Sequence, residues 1–363
     1  MKKHHFLTIF ALFLVYLFWP KNLKNQNNIV NVYTWSGYIP DAIQKKFLEE
    51  TGIRMNVSLM DSDEALESKI LTGHEGYDIV FPSTPYVFKH MTLDVYVPLT
   101  EDKIPNLALI DKNIFDRFKS KDKILVAPYL WGTTGFVYNK DIFDKLFPGE
   151  KIDSWAYLYE PAKLEKLKRY GVVFFGSSHE LMLSSCLYGG ADPENLTEQD
   201  LEKADQMLHL ARPYIFSAAP SGHASQAVLS GEAAIAASSS GDVSRIKVVA
   251  KARGLNLQYV FPKEGIIRWV DSMAVLKNAP HKENAFKLIN FLLRPDVMAE
   301  VSQTSFFPNT VPSSKQYIPE AYFENPVFNP PAEVMKRLRF DGDYSLALLR
   351  LMNRLYFKVL MSR

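Results

Sequence analysis

From residue 28 onward the chain alternates short β-rich runs with amphipathic segments, and this alternation restricts the fold more than any other feature. "IVNVYTW" reads as a strand. Residues 40–51 then place Ala42, Ile43, Phe47 and Leu48 on one helical face and stop at Gly52. "RMNVSLM" alternates Met55, Val57 and Leu59 as a half-buried strand does. Asp61 is positioned to cap the next helix, with Glu64 three residues on closing a capping box and Gly73 ending it. "YDIVFPS" is a buried strand that runs into a Pro-Ser turn. This order predicts an α/β domain in which helices cover a mainly parallel sheet.

A second α/β region runs from about 135 to 270, through "VVFFG", "LTEQDLEKADQMLHL", "AAIAASSSGD" and "LQYVFPKEG". "DSMAVLKNA" and "HKENAFKLINFLLRPDVMAEV" then repeat the strand-helix theme, with Ala285, Leu288, Ile289, Leu292 and Leu293 in one apolar stripe. At 363 residues there is room for two domains. No low-complexity linker separates the regions, which implies two lobes crossed more than once by the chain. The expected division is 28–134 with 270–315 as lobe 1, and 135–269 with 316–363 as lobe 2. A cleft between lobes is the usual ligand site.

Residues 1–27 stand apart. They hold Lys2, Lys3, Lys21 and Lys24 and no acid, which leaves 38 basic against 40 acidic residues in the rest, a formal −2. A basic start followed by 14 uncharged residues (6–19) is the layout of an export signal, and is short for a membrane-spanning helix. "PKNLKNQNN" offers no small-residue cleavage site, so the segment reads as a signal peptide or an uncleaved N-terminal anchor. The near-neutral remainder, with no basic patch, argues against nucleic acid as a partner. Cys186 is the single cysteine, so no intrachain disulfide can form.

Catalytic and metal-binding patterns are missing. "HELML" (179–183) begins like a zinc-protease helix, but Leu183 stands where the second histidine would be. "SSHE" (177–180) sets serine, histidine and glutamate side by side, which is not the geometry of a triad. No phosphate-cradling glycine loop occurs. The six histidines beyond His4 and His5 show no ligand spacing and read as surface or loop residues. No cofactor, metal or enzymatic activity is expected.

Acids and aromatics instead gather where elements end. Trp35 and Tyr38 flank Ser36 and Gly37 in a turn. Trp269 and Asp271 lie two apart at the mouth of a strand and so share a face. Glu180 follows a Gly-Ser-Ser turn and opens a helix, where a carboxylate also complements the helix dipole. Asp242 leaves an apolar strand on a small-residue turn. Strand-to-loop edges are where α/β sheets bind ligands. Carboxylates among aromatic faces suit an organic cation.

The chain resembles the periplasmic spermidine/putrescine-binding proteins of bacterial ABC transporters. The likeness rests on "YTWSGYIP", "FLEETGI", "YDIVFPST", "VAPYLWGTTGFVYN", "FPKEG", "WVDSMAV" and "KLINFLLRPDV", in family order and spacing. It implies a two-lobed fold that closes over its ligand, a periplasmic location, a monomer, and an inner-membrane permease as partner. It implies that Trp35, Ser36, Tyr38 and Ser83 line the cleft, that Glu180 and Asp271 accept amino groups, and that Trp269 stacks on the methylene chain. Asp242 matches the acid of the putrescine type.

Several positions depart from the family pattern. Gly37 replaces an acid, Pro85 replaces an aromatic or a serine, Ser177 replaces an acid of the spermidine type, and Ser239 replaces a tryptophan. Phe307 stands where a tyrosine is usual. Asp341 aligns with a ligand-contacting glutamine and supplies a carboxylate where Gly37 has lost one. The resemblance thus implies polyamine capture in a widened acidic cleft. The alternatives are a same-fold receptor for another organic cation or amino compound, and a membrane-tethered sensory or interaction protein.

Overall fold

The computed structural model describes residues 28–73, 76–120 and 123–362, so the export segment expected at 1–27 lies outside the described residues. The first three strands, β1 (Ile29–Thr34), β2 (Arg54–Leu59) and β3 (Ile79–Val80), pair in parallel with β1 in the middle. Helix α1 (Asp41–Thr51) joins β1 to β2, α2 (Asp63–Leu71) joins β2 to β3, and α3 (Thr84–Thr92) follows β3. Ile43 and Phe47 of α1 are buried as expected, whereas Leu48 is 44% exposed. Gly52 ends α1 at φ +70°, its N–H bonding the Leu48 carbonyl at 2.8 Å. The cap of α2 is Ser62 rather than Asp61. Its hydroxyl accepts from the Ala65 N–H at 3.1 Å, and Asp61 lies outside the helix.

The second half adds β4 (Ala127–Asn139), β5 (Val172–Phe175), β6 (Ser217–Ala219), β7 (Ile235–Ser239) and β8 (Leu257–Val260). Its longer helices are α4 (Ser178–Tyr188), α5 (Glu198–Ala211), α6 (Ser221–Ser230) and α7 (Ser240–Ala252). The chain then returns through β9 (Ile266–Val275) to α8 (Lys282–Leu292) and α9 (Pro295–Ser305). The sequence suggests one helix over 281–301, but Pro295 starts a new one because it cannot continue the hydrogen bonding of α8. β10 (Leu338–Phe340) and α10 (Leu346–Met361) complete the described chain. The strand order is β2-β1-β3-β9-β4-β7-β5-β6, with β8 on β4 and β10 on β9.

Two strands hold the halves together. β9 runs antiparallel to β4 from Ile267 opposite Thr134 to Met273 opposite Ala127, and its last residues, Ala274 and Val275, pair with β3. Along β4, Tyr129 and Leu130 enter one core with Val32, Phe47 and Leu288. Phe136 and Tyr138 enter another with Trp155, Phe174 and Met352. β9 divides likewise, Met273 and Val275 going to the first core and Ile267 to the second. The change of core falls between residues 131 and 134 of β4, opposite Arg268, Trp269 and Val270 of β9. Two lobes are therefore packed separately on one shared antiparallel pair. Ile318 and Phe328, expected in the second lobe, pack instead against Ala299 of α9.

Among the described residues no helix is long and apolar enough to cross a membrane. Phe174 of β5 is fully buried, with the Tyr159 ring 5.8 Å away. Phe174→Ala should lower unfolding free energy by about 3–5 kcal/mol, the usual cost of emptying an aromatic site in a core. A urea melt followed by circular dichroism measures this, and a loss under about 1 kcal/mol would mean that the second core is loosely packed.

Candidate functional site

The turns after the parallel strands of both lobes open onto a single cleft of about 480 Å³. Its first wall is built from the turn after β1, residues 60–64 after β2, and the β3–α3 turn. Its second is built from the turns after β5 and β6 and the start of α7, and β4 and β9 supply the floor. All ten residues expected at a ligand site line it: Trp35, Ser36, Tyr38, Ser83, Glu180, Asp242, Trp269, Asp271, Phe307 and Asp341. Trp269 and Asp271 lie mid-strand rather than at a strand mouth, on the stretch where β9 passes from one lobe to the other.

Asp271 anchors the first-lobe side. It is 3% exposed, and the Tyr38 hydroxyl donates to its Oδ2. Its Oδ1 has no hydrogen-bond partner. Tyr38 reaches inward because Gly37 turns the chain at φ +80°, a conformation that side chains rarely adopt. Trp35 is fixed beside it by an indole N–H bond to the Phe81 carbonyl at 3.1 Å. The Asp63 Oδ1 accepts from the Ser83 N–H at 2.9 Å. Trp269 packs edge to face on Phe307, with ring centres 5.1 Å apart. It packs against Gly132 of β4, where an added Cβ would be 2.3 Å from the indole, so only glycine permits the contact.

The second-lobe wall carries three acids. Glu180, in the first turn of α4, accepts from the Thr134 hydroxyl at 3.2 Å, and Ser177 caps that helix through the Glu180 N–H at 3.4 Å. Asp242, in the first turn of α7, accepts from the Ser221 hydroxyl at 2.6 Å. Arg245 lies 3.6 Å from Asp242 and 3.5 Å from the Ser305 carbonyl, which belongs to the other lobe. Asp341 is 2.6 Å from His179 Nε2. Asp341 is thus not a lone replacement for the acid missing at Gly37, because an imidazole already holds one of its oxygens.

Seven acids line the cleft (Asp61, Asp63, Glu64, Glu180, Asp242, Asp271, Asp341) against Arg245, His179 and His223. Burial pushes Asp271 up to about 7, opposed by the hydroxyls of Tyr38 and Ser83. Burial also lifts Glu180 to about 7, against the lowering effect of Thr134 and His179. Asp63 is held well above the usual carboxylate range, first by burial and then by the neighbouring Asp271 charge. Among the described residues no group of His, Cys, Asp and Glu could hold a metal ion.

The description "bacterial extracellular solute-binding protein" belongs to the family that matches residues 42–330. This chain is a member of that family. It is 32% identical over 338 residues to the putrescine-binding periplasmic protein SpuD of Pseudomonas aeruginosa, covering 92% of each chain. It is 32% identical over 326 residues to the putrescine-binding periplasmic protein PotF of Escherichia coli, covering 87% of each. A solved structure, a putative spermidine/putrescine ABC transporter from Listeria monocytogenes, superposes with a TM-score of 0.82 at 25% identity, over 93% of this chain and 100% of that one. The family is one of binding proteins, and the two-lobed α/β fold is common to it.

Several lining residues escaped the sequence reading. His179 is 7% exposed, not a surface or loop histidine, and His90 is buried as well. Asp63 lies between Asp61 and Glu64 at the start of α2, and no local pattern distinguishes it from them. Arg245 stands three residues from Asp242 on a helix, a spacing that could have flagged it. Ser239, in place of a tryptophan, bonds the Ser221 hydroxyl through its N–H at 2.8 Å.

Two outcomes follow from the charges. Raised carboxyl groups favour the folded state at low pH, so their contribution is present below about pH 4 and lost as pH rises through about 7. Melting curves of the empty protein should show this component fading between about pH 4 and 7, and Asp271→Asn should remove part of it. Tyr38→Phe deletes the donor that holds Asp271 down, so the carboxyl should titrate higher still. Binding of a cationic ligand at pH 7 should weaken by about tenfold in calorimetry. An unchanged dissociation constant would exclude Tyr38 from positioning Asp271.

Proposed function

We propose that the protein is the solute-binding component of an ABC import system for polyamines, holding a putrescine- or spermidine-type cation in the cleft and delivering it to an inner-membrane permease. The observation that carries this reading is the pair of carboxylates, buried Asp271 and half-buried Glu180, that have no cation of their own and share one cleft with Trp35 and Trp269. An ammonium group at Asp271 would satisfy the unpartnered Oδ1 with a charge-assisted hydrogen bond. Trp269, pinned on Gly132, offers a flat apolar face to a methylene chain. The names of the relatives, putrescine-binding and periplasmic, support the same reading.

In this reading lobe 1 comprises 28–134 with 270–315, extended by the segment that packs Ile318 and Phe328 on α9. Lobe 2 comprises 135–269 with the chain from β10 onward. Closure is a hinge motion on the shared strands β4 and β9. The protein works as a monomer in the periplasm, exported by residues 1–27, which are cleaved or retained as an anchor. It turns over no substrate and uses no cofactor.

Calorimetry with putrescine, cadaverine, spermidine and spermine tests the function. Binding is expected for at least one of these, and their acetylated forms should bind less tightly. No heat from any of them at millimolar concentration would overturn the polyamine assignment. Asp271→Asn keeps the shape of the side chain and removes its charge, so affinity should fall by about 1.5–3 kcal/mol, roughly ten- to a hundredfold. If Asp271 were only a structural residue, the variant would instead bind normally.

A further inference from the structure

We propose that His179 acts as a charge-count filter: bonded to Asp341, it withholds that carboxylate from the ligand and sets the cleft for two cationic centres rather than three. The inference rests on the polyamine function proposed above. It starts from the partner of each acid. Asp242 has Arg245 at 3.6 Å and Ser221 at 2.6 Å. Asp341 has His179 at 2.6 Å. Asp63 receives the Ser83 N–H, and burial and the adjacent Asp271 charge disfavour its ionised form. Asp61 is exposed to solvent, and Glu64 is half-buried beside the Tyr86 hydroxyl. On the floor and at the start of α4, Asp271 and Glu180 remain, with hydroxyl donors but no cation. Two uncompensated carboxylates match two ammonium groups.

His179 and Asp341 are 7% and 5% exposed and both line the cleft. Each also has a buried atom without a partner, Nδ1 of the histidine and Oδ1 of the aspartate. The protonation of His179 decides what those atoms can do. As an imidazolium it balances Asp341, and its Nδ1–H repels an ammonium. As a neutral ring donating from Nε2, it leaves the Asp341 charge uncompensated and presents a lone pair at Nδ1, so a third ammonium gains a site.

The groups that face the ring are mainly acidic: Asp341 after β10, Glu180 on α4 and Glu64 on α2, with the Tyr344 ring 5.7 Å away. Burial lowers the affinity of His179 for its proton, but the acids, Asp341 foremost, outweigh burial and raise it. The imidazolium therefore persists to higher pH than in an ordinary histidine. A triamine meets the filter and a diamine does not.

The test is calorimetric titration of the full chain with putrescine and with spermidine between about pH 5.5 and 8, where histidine changes charge. In the native protein the ratio of spermidine to putrescine affinity should rise with pH as His179 loses its proton. The expected rise is about tenfold, the worth of one added charge-assisted hydrogen bond. Asp271 and Glu180 titrate in the same range but serve both ligands, so their effect cancels in the ratio. In His179→Gln, whose amide can still donate to Asp341, the ratio should be high and independent of pH. Adding Asp341→Asn should bring it down again. A ratio that stays flat with pH in the native protein, or is unaltered in folded His179→Gln, overturns the filter. If that variant fails to fold by circular dichroism, the pH series on the native protein decides alone. A native protein that binds neither amine overturns the polyamine function instead, an outcome distinct from a flat ratio.

Discussion

The antiparallel pairing of β4 with β9 is the constraint on which the rest depends. Both strands are long enough to lend side chains to two cores, Tyr129 and Met273 to one, Phe136 and Ile267 to the other. Where they change allegiance they form the floor of the cleft, which carries Trp269, Asp271 and Thr134. The site exists because two separately packed lobes share a pair of strands that neither can bury alone.

Helix starts add the acids to this floor. Glu180, Asp242 and Asp63 all lie in first turns, where the helix dipole and free N–H groups favour carboxylates. The same burial that shapes the cleft desolvates these groups and raises several of them toward neutrality. Tyr38, Thr134 and Ser221 offset part of that cost with hydroxyl donors. Asp242 has Arg245 beside it and Asp341 has His179, whereas Asp271 and Glu180 have hydroxyl donors and no cationic partner.

Much of this was legible in the sequence, for physical reasons. Periodicity of two and of 3.6, with Gly52 and Ser-rich turns as punctuation, marks elements through local geometry, and local geometry is written locally. The ten expected lining residues stand at strand and helix ends or in β9, so position alone brought them near one edge. Pairings are another matter. Tyr38 meets Asp271 across 233 positions and His179 meets Asp341 across 162. No window of sequence contains both partners, which is why His179 read as a loop histidine and Asp341 as an unattached acid. The placement of Trp269 at a strand mouth failed similarly, since the length of β9 is set by its partners β3, β4 and β10.

Burial lifts both open carboxylates to about 7, and this bears on recognition from outside. On the polyamine function proposed above, such a cleft trades protons for ammonium ions and is an ion exchanger. Near pH 7, with two groups titrating at about that value, about half of a dication's charge is offset by departing protons. The external field of the loaded protein then differs from that of the empty one by less than the charge of its cargo, and screening shortens that difference further. On the function proposed above, a permease that must tell full from empty would have little charge to read. What remains for it is the relative position of the two lobes.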